Sequence, residues 1–182
     1  MKALFVSLGA ATALFAVAPG TSSVMSIGNS LARGCFLAAE ARLKGADAID
    51  DCTRALSEEA LDKNDRVATL VNRGILRLIG NDYRNASRDF DEAIAIDPSE
   101  PEAWLNKAIL SIKRADGANI FPMVDRALLL KTRKPALAYY VRGIANEEAG
   151  NLKQAYADLV RARDLAPNWA DPSTELRRYK LR

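Results

Sequence analysis

The hydrophobic pattern divides the chain into two unequal parts. Ala3 to Ala18 is an apolar run of sixteen residues, interrupted only by Ser7, Gly9 and Thr12. Beyond Leu31, apolar and small residues recur at helical spacing, and clusters of Gly, Asn, Asp and Pro separate the helical stretches. The leading run is short for a membrane span and suits the apolar core of a secretory signal. Lys2 supplies the preceding positive charge, and Pro19-Gly20-Thr21-Ser22-Ser23 supplies helix breakers and small residues. This predicts a signal peptide over 1–23, cut after Ser22 or Ser23, and a linker over 24–30. The expected destination is the periplasm of a bacterium or the outside of the cell, with no membrane span after cleavage. The alternative is an uncleaved N-terminal anchor. Cys35 does not read as a lipidated cysteine, because Arg33 stands where such a signal wants a small residue.

The rest of the chain repeats itself. Gly74, Ala86, Phe90, Ala93 and Pro98 are separated by 12, 4, 3 and 5 positions, and Gly143, Ala155, Leu159, Ala162 and Pro167 by the same intervals. A weaker copy between them carries Trp104, Ala108, Val124 and Ala127. A period of about 34 residues with small residues at these offsets is a signature of stacked helical hairpins. On these residues, 67–169 resembles three tetratricopeptide-repeat (TPR) units, 67–100, 101–134 and 136–169. Residues 31–66 read as a divergent hairpin before them, with Leu31 to Lys44 going out, Gly45 turning and Ala46 to Ala60 returning. Residues 170–182, with a helix from about Ser173 to Leu181, read as a polar-faced cap.

The resemblance implies an all-α fold, a TPR-type helical-hairpin solenoid with a C-terminal capping helix. It also gives each small residue a task. Gly74, Ala108 and Gly143 sit mid-way along the first helix of a unit, where the second helix crosses closely. Pro98 and Pro167 end the second helix, since proline cannot donate and clashes with the preceding turn. The middle unit departs from the pattern: Ile120 replaces a small residue, Pro122 resets the start of the second helix, and Thr132 replaces the terminal proline. A looser turn is expected over 114–119, and a longer linker at Asp62-Lys63-Asn64-Asp65.

By the repeat alignment Cys52 replaces Phe90, an inward position, and Cys35 aligns with Arg73 on the flank nearby. The two lie at similar height on either side of the Gly45 turn. An even cysteine count in an exported chain favours pairing, so a Cys35–Cys52 disulfide is expected. Two buried free thiols are the alternative.

Composition narrows the function. Hydrophobic residues make up 49% of the chain and the net charge is +3, with acids and bases well mixed. This describes a globular chain and not a nucleic-acid footprint. The basic tail of Arg177, Arg178, Lys180 and Arg182 suits a helix C-terminus. There is no histidine and there are only two cysteines. Triads built on histidine and four-ligand Cys/His zinc sites are therefore ruled out. Adjacent carboxylates at Asp50-Asp51, Glu58-Glu59 and Glu147-Glu148 diverge by about 100° on a helix, so none of these pairs shares a proton. The chain reads as a non-catalytic scaffold for a protein or peptide partner, with no cofactor, metal, nucleic acid or small-molecule substrate.

In the repeats that the chain resembles, the fifth and ninth positions of each unit face a concave groove. Here these are Val71, Leu105 and Tyr140, then Ile75, Ile109 and Ile144. An exposed apolar strip of this size marks a contact surface. The alternative is that residues 24–30 or the C-terminal helix cover it. Asn72 and Asn106, at the sixth position, read either as rungs for an extended ligand backbone or as ordinary helix-surface polar residues. The base that follows in each unit, Arg73, Lys107 or Arg142, reads as an ion-pair partner of Asp89 or Asp158, or as an acidic-ligand clamp. Replacing Leu105 or Tyr140 by Asp is expected to weaken partner binding without unfolding. A second class of function is also open: a structural or envelope-biogenesis subunit packed permanently through its convex face.

Overall fold

The computed structural model describes residues 30–115 and 120–179. The expected signal peptide (1–23), most of the linker (24–30), residues 116–119 of the expected turn and the last residues of the expected cap (180–182) lie outside them. The described residues form helices without strands. In chain order these are α1 (Ser30–Glu40), α2 (Ala46–Glu58), α3 (Lys63–Ile79), α4 (Tyr83–Ile96), α5 (Pro101–Arg114), α6 (Phe121–Leu129), α7 (Pro135–Glu148), α8 (Leu152–Leu165) and α9 (Ala170–Leu176). Consecutive helices pack in pairs, α1 on α2, α3 on α4, α5 on α6 and α7 on α8. The first helix of each pair also touches the first helix of the next, α1 with α3, α3 with α5, and α5 with α7.

The helix ends follow from local chemistry. Asp62 caps α3 by accepting from the Asp65 N–H at 2.8 Å. The segment expected to be a long linker is therefore mostly the first turn of α3, which starts at Lys63. Pro101 and Pro135 open α5 and α7, where no N–H is needed. Four turns share one stop: Arg42, Asn81, Lys131 and Gly150 adopt positive φ. In each the next N–H bonds five residues back, as from Asp82 to the Arg77 carbonyl at 2.8 Å and from Asn151 to that of Asn146 at 2.8 Å. The second helices α4 and α8 end before Pro98 and Pro167. The terminal helix α9 begins at Ala170, earlier than expected, and stops at Leu176.

The core lies between paired helices and between successive pairs. Gly74 is required by contact: a Cβ there would lie 2.4 Å from the Phe90 ring. At Gly143 the same atom would meet Leu159 at 3.0 Å, and the Ala155 carbonyl stands 3.4 Å away. In the first pair, Cys35 and Cys52 form a disulfide that ties α1 to α2, with both residues fully buried.

Candidate functional site: an apolar groove with a basic edge

Polar residues at the repeated positions are spent on joining helices. Asp89 on α4 accepts from Arg73 at 2.8 Å and Arg77 at 2.6 Å, both on α3. Asp158 on α8 accepts from Arg142 at 2.7 Å and from Asn146 Nδ2 at 3.1 Å, both on α7. The same base also reaches the preceding pair. Arg73 donates to Thr53 Oγ1 on α2, Lys107 pairs with Asp91 on α4, and Arg142 pairs with Asp125 on α6. Between an ion pair and a ligand clamp for these bases, the geometry is that of the ion pair. Hydrogen bonding to Asp158 leads the causes that hold the Arg142 guanidinium above the ordinary arginine value.

The expected concave strip divides sharply. Val71, Ile75 and Leu105 are fully buried, as are Asn72 and Asn106. This corrects the expectation that these five form an exposed row. The cause for Val71 and Ile75 is α1, which packs on α3 and brings Cys35, Ala38 and Ala39 into one core with them. Leu105 belongs to the core shared with Leu137, Ala138 and Val141 of α7. Asn106 turns its amide to its own helix, donating to the Glu102 carbonyl at 2.8 Å. Neither asparagine is placed to grip a ligand backbone. The expectation that Leu105→Asp would spare the fold is corrected with it, since the substitution puts a charge into a closed core.

Ile109, Tyr140 and Ile144 are brought together. They line an open groove of about 510 Å³ at the C-terminal ends of α3 and α5 and along α7. Ile79 from α3 and Ile112 from α5 join them. Tyr140 is half-buried because Trp169, from the α8–α9 connection, packs on it with ring centroids 4.7 Å apart. Burial, with Glu175 and Asp171 nearby, pushes the Tyr140 hydroxyl up to about 12. The groove edge carries Arg42 and Lys44 after α1, Asn81 after α3 and Lys113 at the end of α5. Asp171 is the acid among its lining residues.

Sequence reasoning missed Ile79, Ile112, Lys113 and the Arg42–Lys44 turn. The signal for the first three was one helical turn beyond the ninth-position row, at Ile79 after Ile75 and at Ile112 and Lys113 after Ile109. Nothing in the periodicity pointed to the turn after α1, whose place depends on how the first pair docks.

No protein-family model matches this chain, and no curated protein matches it. Among the described residues no cluster of acids and cysteines could hold a metal ion, and no helix is long and apolar enough to cross a membrane. What the groove offers is apolar surface that accepts side chains, with exposed donors from Arg42, Lys44 and Lys113 beside it.

Proposed function

We propose that this chain is a TPR-type helical solenoid that acts as a non-catalytic scaffold and binds a protein or peptide in its groove, outside the cytoplasm. The observation that carries this reading is the open apolar groove where Ile109, Ile112, Tyr140 and Ile144 converge without a covering helix among the described residues. Tyr140 is of the aromatic type that anchors protein interfaces, and the isoleucines around it supply apolar surface that a partner can seal from water. The repeated spacing and the serial contacts of α1, α3, α5 and α7 support the solenoid. The Cys35–Cys52 disulfide supports an oxidising compartment.

The test is co-purification from the native cell envelope after cross-linking, using the wild-type chain beside Ile112→Asp and Ile144→Asp. Both residues are only partly buried, so the variants are expected to keep their helicity. A groove-bound partner should be lost from both, corresponding to about 2 kcal/mol or more for each. Undiminished recovery of the same partner by folded variants would move the contact to another face.

A further inference from the structure

The groove is apolar on its floor and electrically one-sided at its edge. Several arginines are committed: Arg73, Arg77 and Arg142 to buried carboxylates, Arg54, Arg66 and Arg178 to surface ones. Arg42, Lys44 and Lys113 form no ion pair among the described residues, and all three are exposed beside the groove. They come from two helix ends far apart in sequence, so no local helix pattern accounts for their meeting. Arg42 is fixed there by the positive-φ stop of α1 (φ 53°), which the Leu43 N–H locks by bonding to the Ala38 carbonyl at 3.0 Å. Asn81 lines the same groove, its Oδ1 accepting from the Tyr83 hydroxyl at 2.9 Å.

Residues 1–39 contain no carboxylate side chain, so an N-terminal segment of this chain seated on the edge would leave all three cations unmatched.

We propose that the occupant of the groove is an acidic, apolar segment of a partner protein. Its aliphatic or aromatic side chains lie over Ile112, Tyr140 and Ile144, and its carboxylates meet Arg42, Lys44 and Lys113. The proposal rests on the reading of the groove as a partner site and adds the chemistry of the partner. Opposite charge at the edge steers encounter and fixes orientation, while the apolar floor supplies the affinity. Asp171, near Tyr140, lines the same groove and repels carboxylates, so those of the partner keep to the basic residues.

A random dodecapeptide library displayed on phage tests this, panned against the full chain, against Arg42→Ala/Lys44→Ala/Lys113→Ala and against Ile144→Asp. Circular dichroism confirms that both variants fold. The wild-type chain should enrich peptides that combine Asp or Glu with Leu, Ile or Phe. Synthetic copies should bind at least tenfold more weakly to either variant and lose affinity as salt is raised. Enrichment of neutral or basic peptides that still depend on Ile144 would overturn the acidic partner and leave the groove as a binding site. Recovery of no peptide sensitive to Ile144→Asp would overturn both. Oleate binding that depends on Arg42 and Lys44, without peptide enrichment, would assign the groove to a fatty acid. Concentration-dependent dimerisation abolished by Ile144→Asp would assign it to a second copy. Either result overturns the proposal.

Discussion

The pair α3–α4 and the pair α5–α6 carry the same repeat and are held together differently. In α3–α4, Gly74 admits the Phe90 ring, and Asp89 gathers Arg73 and Arg77 into a buried set. In α5–α6 the corresponding residues are Ala108 and Val124, a smaller ring-free contact, and Met123 and Ser111 stand where Asp89 and Arg77 do. The base remains as Lys107, but it turns away to Asp91 of the preceding pair. A different fastening appears at the far end. Glu102, fully buried at the start of α5, accepts from Thr132 Oγ1 at 2.8 Å and from the Arg133 N–H at 2.7 Å, beyond the end of α6. The repeat therefore conserves the shape of the helix–helix contact and lets the polar fastening move. The middle pair, with its nine-residue α6, is fastened where its chain enters and leaves and lacks a carboxylate at the Asp89 position. Its α5 end, with Ile112 and Lys113, opens onto the groove.

The largest effect should come from breaking the α3–α4 set from one side. Burial pushes the Asp89 carboxyl upward and the two guanidiniums only partly offset it, so the set is a poor source of net stability yet costly to leave incomplete. Asp89→Ala strands two arginines whose side chains are mostly buried and should cost about 3–4 kcal/mol. Asp158→Ala should cost less, about 2 kcal/mol, because Arg142 keeps Asp125 and is more exposed. Imitating the middle pair, with Asp89→Met and Arg77→Ser together, should recover part of the loss. Urea unfolding followed by hydrogen exchange, which localises the opening, decides among these. A double variant no more stable than Asp89→Ala would show that the polar fastening cannot be traded for apolar packing.

The first pair makes a third solution to the same problem. Cys35 aligns with Arg73 and Cys52 with Phe90, so a covalent bond stands near the place of the ion pair. Removing it by Cys35→Ala with Cys52→Ala should cost about 3 kcal/mol in the chain-entropy account of a loop of this length. The opening should be confined to α1 and α2, with α7 and α8 keeping their protection. Because α1 carries Arg42 at its end, the same variant should weaken any ligand that uses the basic edge.

Next is the close approach at Gly74. Gly74→Ala places a Cβ 2.4 Å from the rigid, fully buried Phe90 ring and should cost about 2 kcal/mol. Gly143→Ala meets Leu159 at 3.0 Å, a branched chain that can adjust, and the gain in helix propensity should hold the loss below about 1 kcal/mol. Equal losses at the two sites would mean that the Phe90 ring moves as freely as a leucine.

These contrasts also show what the residues alone disclose. The helix pairings, the stops before Pro98 and Pro167 and the Cys35–Cys52 bond were legible because each depends on a proline or a fixed interval; the stop of α1 at Glu40, short of the expected Lys44, was not, because Arg42 makes the turn without a glycine. The ion pairs were legible because base and acid stand on the two facing helices of one unit, Arg73 with Asp89 and Arg142 with Asp158. The site was only partly legible. Ile109, Tyr140 and Ile144 occupy the same register as Val71, Ile75 and Leu105, and the residue type does not distinguish them. What separates them is which neighbour docks on which helix. The docking of α1 closes the first part of the strip, and Trp169 half-covers Tyr140. Arg42 and Lys44 join the groove through that same docking, with no periodic signal of their own.

The smallest expected effect concerns Tyr140, where the covered and open parts of the strip meet. Its hydroxyl stands at about 12 in the folded chain against 10.0 in an exposed tyrosine, chiefly through burial and then through Glu175 and Asp171. A proton held more tightly in the folded state stabilises it. The contribution is fully present below pH 10, declines as the unfolded chain begins to ionise, and is lost by about pH 12, where the folded group ionises too. Partial exposure to solvent screens it, so the loss should be smaller than any of the substitutions above. Burial and Glu147 raise the Tyr179 hydroxyl as well, so absorbance near 295 nm during alkaline titration should show late-ionising tyrosines, and Tyr140→Phe should remove one equivalent of that late absorbance. The same variant should lose less stability between pH 10 and 12 than the wild type, measured before the disulfide is attacked by hydroxide. If Tyr140→Phe instead removes an ordinary step near pH 10, Trp169 does not shield the ring, and Tyr140 belongs wholly to the open groove.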